Sequence, residues 1–134
     1  MGGMQTIDLK TTRRFEMMDI TAKVRTAVRE SRVQSGLCIV YVPHTTAAVA
    51  INEHADPDVT RDIIRALDGL VPVEAGYAHT EGNSNAHIKS AIMGNSRVIL
   101  VDRGEPVLGT WEGVFFCEFD GPRSRRVLVK VVEA

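Results

Sequence analysis

Three short segments of this chain concentrate the side chains that could do chemistry: Pro43–Thr46, His79–Lys89 and Glu118–Arg123. Three of the four histidines fall in the first two segments, among carboxylates, amides and cationic side chains. The first and third segments lie at or beside apolar runs, and the middle one opens a short helical pattern. A small protein that places imidazole, carboxylate and cation beside its core is usually building a site. The pattern therefore favours a metal or phosphate site where the three segments converge.

The metal hypothesis depends on three imidazoles. His79 and His87 are eight residues apart, too far for a single helical face, but the intervening turn can bring both rings to one point. His44, at the end of a predicted buried strand, would complete a three-histidine set, the usual arrangement of catalytic zinc with an open fourth position. Zinc is the expected divalent metal, and magnesium or manganese would compete if carboxylates joined the set. The alternative is a capped turn and a loop held by its own side chains.

The same segments carry groups that bind anions. Backbone N–H groups at the start of a helix predicted over Ala86–Met93, with Lys89 nearby, suit a phosphate. Arg123 supplies a second cation. Hydroxyl and amide groups complete the candidate substrate-binding set, which contains Thr45, Thr46, Asn52, Asn83 and Ser84.

Two carboxylates are the main candidates for acid–base work. Strand alternation over Gly113–Phe119 places Glu118 and then Asp120 on the face opposite Phe115 and its neighbours. Buried carboxylates are costly unless they are paired or bound to metal. Arg123 is the natural partner, so one interpretation is a structural ion pair that fixes the turn. The other is a carboxylate beside a metal, or an acid–base group with a raised pKa.

Further candidates lie outside the three segments. Glu53 is a candidate general base or a carboxylate that orients a metal ligand, and His54 is interpreted as a surface histidine. Trp111, the only tryptophan, lies between glycines, so it either belongs to the core or stacks on a ligand ring.

Composition limits the class of protein. At 134 residues with 44% hydrophobic residues, residues 1–134 are expected to form one domain. A net charge of -1 argues against nucleic acid as a partner, and no apolar run reaches the roughly 20 residues that span a bilayer. The two cysteines, Cys38 and Cys117, are expected to be buried free thiols. These features predict a cytoplasmic protein without a membrane partner, and no nucleotide-binding or serine-hydrolase motif is present.

Periodicity predicts an α+β sandwich with helices packed on an antiparallel or mixed sheet. Helices are predicted over Ile20–Arg32, from Asp56-Pro57 to Gly69, and over Ala86–Met93 with Ser84 or Asn85 as the cap. Strands are predicted over Met4–Leu9, Leu37–Val42, Ala47–Ile51, Val98–Val101, Gly113–Phe119 and Val127–Val132.

Specific motifs run along nearly the whole chain and resemble those of the YjbQ family, also called UPF0047. They are Pro43-His44-Thr45-Thr46-Ala47-Ala48, Ile51-Asn52-Glu53, Asp56-Pro57-Asp58, the run from His79 through Lys89, Leu108-Gly109-Thr110-Trp111 and the run from Phe116 to Arg123. The resemblance implies a compact α+β sandwich that assembles as a homotrimer. It also implies a polar pocket near His44, His79 and His87 that holds a divalent metal. The label "secondary thiamine-phosphate synthase" carried by the family implies a reaction that joins a pyrimidine methyl diphosphate to a thiazole phosphate and releases diphosphate.

Three hypotheses for function remain open on the sequence alone. The first is a metal-dependent enzyme that acts on a phosphorylated small molecule, with Glu53, Glu118 or Asp120 moving protons. The second is a non-catalytic module that binds a phosphorylated metabolite or metal. In the third, the polar clusters only hold the trimer together.

Overall fold

A computed structural model describes residues 3–134. Two antiparallel sheets and three helices form the fold, which confirms the predicted α+β sandwich. In chain order the elements are β1 (Met4–Lys10), β2 (Glu16–Asp19), α1 (Thr21–Ser31), β3 (Gly36–Tyr41), β4 (Ala47–Glu53), α2 (Pro57–Leu70), α3 (Ser84–Met93), β5 (Ser96–Asp102), β6 (Glu105–Pro106), β7 (Glu112–Glu118) and β8 (Ser124–Glu133). None of the helices within this range has the length and apolar character needed to cross a bilayer.

The strands divide into a five-stranded sheet of order β1-β8-β3-β5-β6 and a three-stranded sheet of order β2-β7-β4. The main core lies between the two sheets and the apolar stripe of α1, where Val24 and Val28 are buried. A second, smaller core lies on the other face of the three-stranded sheet, against Ala86 of α3 and Leu67 of α2. Both faces of β7 are therefore buried, since Val114 and Phe116 face one core and alternate residues face the other.

Two short strands were not predicted. β2 has four residues and β6 has two, so neither is long enough to show a clear period of two. They are recognised as strands only by their pairing in the structure, of β2 with β7 and of β6 with β5.

Helix boundaries differ from the prediction in instructive ways. Asp56 does cap α2, because its side chain accepts a hydrogen bond from the N–H of Asp58, and Pro57 is the first helical residue. Helix α3 begins at Ser84, two residues earlier than predicted, and Asn83 is its N-cap residue. The Asn83 side chain does not cap the helix, because it binds a carboxylate in the site described next.

Candidate functional site

A polar cavity lies where several strand ends meet. The loop between β3 and β4, the loop between β7 and β8, and the start of α3 all contribute to it. Its volume is about 390 Å³, and it is lined by Pro43, His44, Thr45, Thr46, Glu81, Asn83, His87, Asp120, Arg123 and Arg125. A second cavity of about 350 Å³ shares His44, Thr45 and His87 with it. The three polar segments of the sequence thus do converge.

Arg125, which lines the first cavity, belongs to a buried ion pair with Glu118. Glu118 is fully buried and the side chain of Arg125 is 5% exposed. Arg125 donates from Nε to Glu118 Oε1 at 2.8 Å and from Nη2 to Glu118 Oε2, so the contact is bidentate. Burial raises the pKa of Glu118, but hydrogen bonds from Arg125 and Thr11 outweigh it and hold the pKa below its ordinary value. Glu118 is therefore ionised at neutral pH, the opposite of the raised pKa considered for an acid–base group.

Arg125 is also tied to Thr46, and one of its nitrogens remains available. Nη2 donates to the Thr46 hydroxyl at 2.9 Å. Within residues 3–134, Nη1 has no hydrogen-bond partner. Since Arg125 lines the cavity, Nη1 is a charged donor held in place by the other two nitrogens.

Asp120 and Arg123 form the second ion pair of the cavity. Arg123 donates from Nη2 to Asp120 Oδ2 at 2.9 Å and from Nε to the Asp120 carbonyl oxygen at 2.8 Å. Asn83 Nδ2 donates to the same Oδ2 at 2.9 Å. Burial raises the pKa of Asp120, but the hydrogen bonds from Asn83 and Arg123 bring it below its ordinary value. The predicted partnership of Arg123 with a carboxylate is correct for Asp120, whereas Glu118 takes Arg125 instead.

The His44 ring is held against the backbone of β8. Its Nε2 lies 3.1 Å from the Arg126 nitrogen and 3.2 Å from the Arg126 carbonyl oxygen. Burial and the nearby positive charge of Arg125 lower the pKa of His44. The imidazole is thus neutral at pH 7.

The predicted metal ligands come together only in part. His79 and His87 are in edge-to-face contact, with ring centroids 5.6 Å apart. His44 shares cavities with His87, but its Nε2 is engaged by Arg126. Within the part of the chain that the structure describes, no three His, Cys, Asp or Glu side chains form a group that could hold a metal ion. The metal site therefore stays a prediction.

Lys89 was predicted to bind phosphate, but its ammonium group points away from solvent. The side chain is 1% exposed, and Nζ donates to Asp68 Oδ1 at 2.9 Å and to Asn85 Oδ1 at 3.0 Å. It also lies 4.1 Å from the ring centroid of Phe15. Lys89 therefore joins α3 to α2. Ser84 lies at the start of α3 and lines a third cavity with His79 and His87.

Four other residues of interest lie at the opposite end of the three-stranded sheet. Asn52 and Glu53 end β4, whereas the cavity residue Thr46 precedes it, and a strand of this length spans about 20 Å. Trp111 is 63% exposed and is not among the residues that line this cavity, so the described part of the chain gives it neither a core position nor a place in the candidate site. His54 Nδ1 donates to Asp19 Oδ2 at 2.9 Å, which gives this surface histidine a structural partner.

Sequence reasoning missed Arg125 and Thr11. A signal for Arg125 was present, because it shares the core-facing side of β8 with Val127, Val129 and Val131, and a charge at such a position requires a partner. Thr11 donates to Glu118 Oε1 at 2.7 Å across 107 positions of sequence. Only the three-dimensional pairing of β1 with β8 reveals that contact.

The structure is an α+β sandwich of two antiparallel sheets with a polar cavity at the strand ends. The sequence profile described as "UPF0047 protein YjbQ-like" matches residues 5–134. The chain belongs to the YjbQ (UPF0047) family, as its motifs indicated.

Individual relatives agree along nearly their whole length. The UPF0047 protein MJ1081 of Methanocaldococcus jannaschii is 51% identical over 124 residues, which cover 92% of this chain and 90% of that protein. The UPF0047 protein YugU of Bacillus subtilis is 46% identical, covering 96% and 98%. A crystal structure of an uncharacterized conserved protein of the YjbQ/UPF0047 family from Clostridium acetobutylicum matches with a TM-score of 0.94 and 51% identity, covering 96% of this chain and 99% of that one.

Proposed function

We propose that the cavity between His44 and Arg123 binds the phosphate group of a small phosphorylated metabolite. The proposal is based on Arg125. This arginine is buried, and its Nη1 has no hydrogen-bond partner within the described residues. Arg123 also keeps Nη1 without a hydrogen bond in the same range. Two guanidinium groups on one cavity wall suit an oxyanion that accepts several hydrogen bonds.

The charge balance of the cavity suits binding of moderate strength. Glu118 and Asp120 each neutralise one arginine, and Glu81 lies at the rim. A bound phosphate would accept hydrogen bonds from fixed donors, but it would not meet a strongly positive surface. Thr45, which is exposed and lines two cavities, adds a hydroxyl.

Binding is supported better than general-acid catalysis by Glu118 or Asp120, because both of these carboxylates have lowered pKa values. A general acid that is ionised at working pH has no proton to give. The carboxylates instead hold the arginines in position.

Isothermal titration calorimetry with inorganic phosphate and propyl phosphate tests this proposal. Arg123→Met is expected to weaken binding by about tenfold or more, since a hydrogen bond to a charged group is lost. The matched control is Arg65→Met, which removes an exposed arginine of α2 outside the cavity. Equal affinities in wild type, Arg123→Met and Arg65→Met would contradict the proposal.

The catalytic form of the proposal is the synthase reaction that the family resemblance implied. Arg123 and Arg125 could stabilise a leaving diphosphate, which is the feature that favours it. The test is formation of thiamine phosphate from the pyrimidine methyl diphosphate and the thiazole phosphate, with magnesium, manganese or zinc added. Turnover that disappears in Arg123→Met supports catalysis, and binding without turnover under all three metals contradicts it.

A bound divalent metal, zinc first, is a separate proposal supported by the contact between His79 and His87. His44 would have to release the Arg126 backbone to join them. Elemental analysis of untagged protein, wild type beside His79→Ala and His87→Ala, tests this. About one ion per chain that both variants lose supports the site, and no ion after addition of zinc and desalting contradicts it.

We also propose that the chain forms a homo-oligomer, the trimer implied by the resemblance, through the outer face of the five-stranded sheet. That face carries exposed apolar side chains on adjacent strands, among them Tyr41, Val98 and Leu100. Apolar patches of this kind usually mark an interface.

A further inference from the structure

The phosphate cavity also contains an unused negative acceptor. Asp120 Oδ2 receives hydrogen bonds from Arg123 and Asn83, whereas its Oδ1 has no hydrogen-bond partner among residues 3–134. Asp120 lines the cavity with a side chain that is 17% exposed. A carboxylate oxygen of an ionised group can accept more than one hydrogen bond, so Oδ1 is open to a ligand.

The donor without a partner, Nη1 of Arg123, and the acceptor without a partner, Oδ1 of Asp120, belong to the same ion pair. Arg123 Nη2 and Asp120 Oδ2 are 2.9 Å apart, and the groups without partners are Nη1 on one side and Oδ1 on the other. Each is fixed, because Nε of Arg123 is bonded to the Asp120 carbonyl oxygen and Asn83 holds Oδ2. A ligand that used both would need its anionic and donor groups separated by only a few atoms.

The negative charge that remains in the cavity after phosphate binding favours a cationic hydrogen-bond donor on the ligand. A phosphate on the arginine wall would satisfy the guanidinium nitrogens that are still open, and would leave Asp120 Oδ1 and the rim carboxylate of Glu81 facing the rest of the ligand. A second anionic group there would be repelled, whereas an ammonium group would be attracted.

We propose that the natural ligand is a short phosphorylated amine, whose phosphate binds Arg123 and Arg125 and whose ammonium group binds Asp120. This inference rests on the proposed function of the cavity and specifies the class of metabolite that it takes. Asp120 is then a specificity determinant, because it distinguishes amine-bearing phosphates from simple phosphate esters.

Three phosphate esters of equal length test the proposal: 2-aminoethyl phosphate, 2-hydroxyethyl phosphate and propyl phosphate. Calorimetry on the wild type is expected to give tighter binding of the amine than of propyl phosphate by about tenfold or more, with the alcohol between them. Asp120→Asn removes the charge with little change of shape. It is expected to weaken binding of the amine much more than binding of propyl phosphate, since the charge that attracts the ammonium group is lost while the amide oxygen can still accept from Arg123 and Asn83.

That selective loss of amine binding is the decisive readout, because a merely structural role of Asp120 would weaken all three ligands to the same degree. Asp62→Asn, an exposed aspartate of α2 outside the cavity, is the matched control and should leave the order of affinities unchanged. Urea unfolding of Asp120→Asn checks that the variant is folded, and Asp120→Ser provides a second variant if it is not. Equal binding of the three esters by the wild type overturns the amine proposal alone. Absence of binding by all three overturns the proposed phosphate site as well.

Discussion

At the scale of single residues, the site depends on charges that are buried and paired. Glu118 lies on the face of β7 that carries the buried Val114 and Phe116, so folding removes its carboxylate from water. Thr11, Arg125 and the N–H of Asp120 together satisfy both of its oxygens. A buried ion pair of this kind contributes little net stability, but removal of one partner is costly. Its value here is that it fixes Arg125 at the cavity.

Glu118→Gln should therefore destabilise the protein by about 3–5 kcal/mol, because Arg125 is left as an uncompensated buried charge. The double variant Glu118→Met/Arg125→Met should lose much less than the sum of the two single variants. The folded-state pKa of Glu118 is lowered, so its stabilising effect is present above its ordinary pKa of 4.5 and is lost as pH falls through the lower folded value. Urea unfolding between pH 7 and pH 3 measures both effects. A Glu118→Gln variant as stable as wild type at pH 7, or with the same acid sensitivity, would contradict this account.

Gly113, at the other end of β7 from Glu118, leaves room for the His54 ring because it has no side chain. A Cβ at this position would collide with the His54 ring and with the His54 Cβ, while His54 is held by Asp19 Oδ2 at 2.9 Å. Gly113→Ala is expected to cost about 1–3 kcal/mol through overpacking, and His54→Ala should restore part of that loss in the double variant. Gly69→Ala is the matched control, since a Cβ there has nothing within 4 Å and should stabilise α2 by about 0.5–1 kcal/mol. The measurement is the midpoint of urea unfolding; no recovery in the double variant would rule out the steric cause.

At the scale of elements, regular patterns in the sequence predicted most of the fold. The alternation of β7 correctly separated Phe115 and Cys117 from Val114, Phe116 and Glu118, because each side chain of a strand must face one of two layers. Asp56-Pro57 correctly marked the start of α2, since both residues act locally. Both cysteines are buried free thiols, as predicted.

The sequence patterns did not predict which side chains pair with each other across the fold. Arg123 and Arg125 are both near Glu118 in sequence, and although the buried face of β8 singles out Arg125, only the folded structure shows that its partner is Glu118. Lys89 looked like an exposed cation at a helix start, but its ammonium group contacts Asp68 of α2 and the Phe15 ring and is buried. Glu53 and Trp111 belong to motifs as specific as the others, yet the direction of β4 carries them to the opposite end.

Lys89 therefore leads to a prediction about element packing and not about the ligand. Lys89→Met leaves Asp68 and the buried Asn85 amide without their cation, which should lower the stability by about 1–3 kcal/mol. Affinity for propyl phosphate should stay within about threefold of wild type, well below the effect expected for Arg123→Met. Lys23→Met on the exposed side of α1 is the matched control for loss of a lysine charge. A large loss of phosphate affinity in a stably folded Lys89→Met protein would instead support the original assignment of Lys89 to the phosphate.

At the scale of the whole molecule, the two sheets bury very different amounts of their outer faces. The three-stranded sheet is covered by α2 and α3, whereas the middle of the five-stranded sheet presents Val98 and Leu100, each 60% exposed, beside the partly exposed Leu37 and Ile39. Leu37 is directly opposite Leu100, and Ile39 is opposite Val98. Side chains at such cross-strand positions are in contact, so the apolar residues form one continuous surface.

The proposed trimer should therefore depend on this face. Val98→Glu/Leu100→Glu places two like charges in the middle of the surface and is expected to shift the protein from trimer to monomer in size-exclusion chromatography with light scattering, because burial of unpaired carboxylates in an interface is costly. Leu70→Glu is the matched control: Leu70 is 79% exposed at the end of α2, so the same type of substitution there should leave the trimer intact. A wild type that stays monomeric at high concentration, or a double variant that remains trimeric, would contradict the proposed interface. Comparison of propyl phosphate binding by the monomeric variant and by wild type would then establish whether one chain forms the cavity alone, since Arg123 and Arg125 belong to the same loop and strand end.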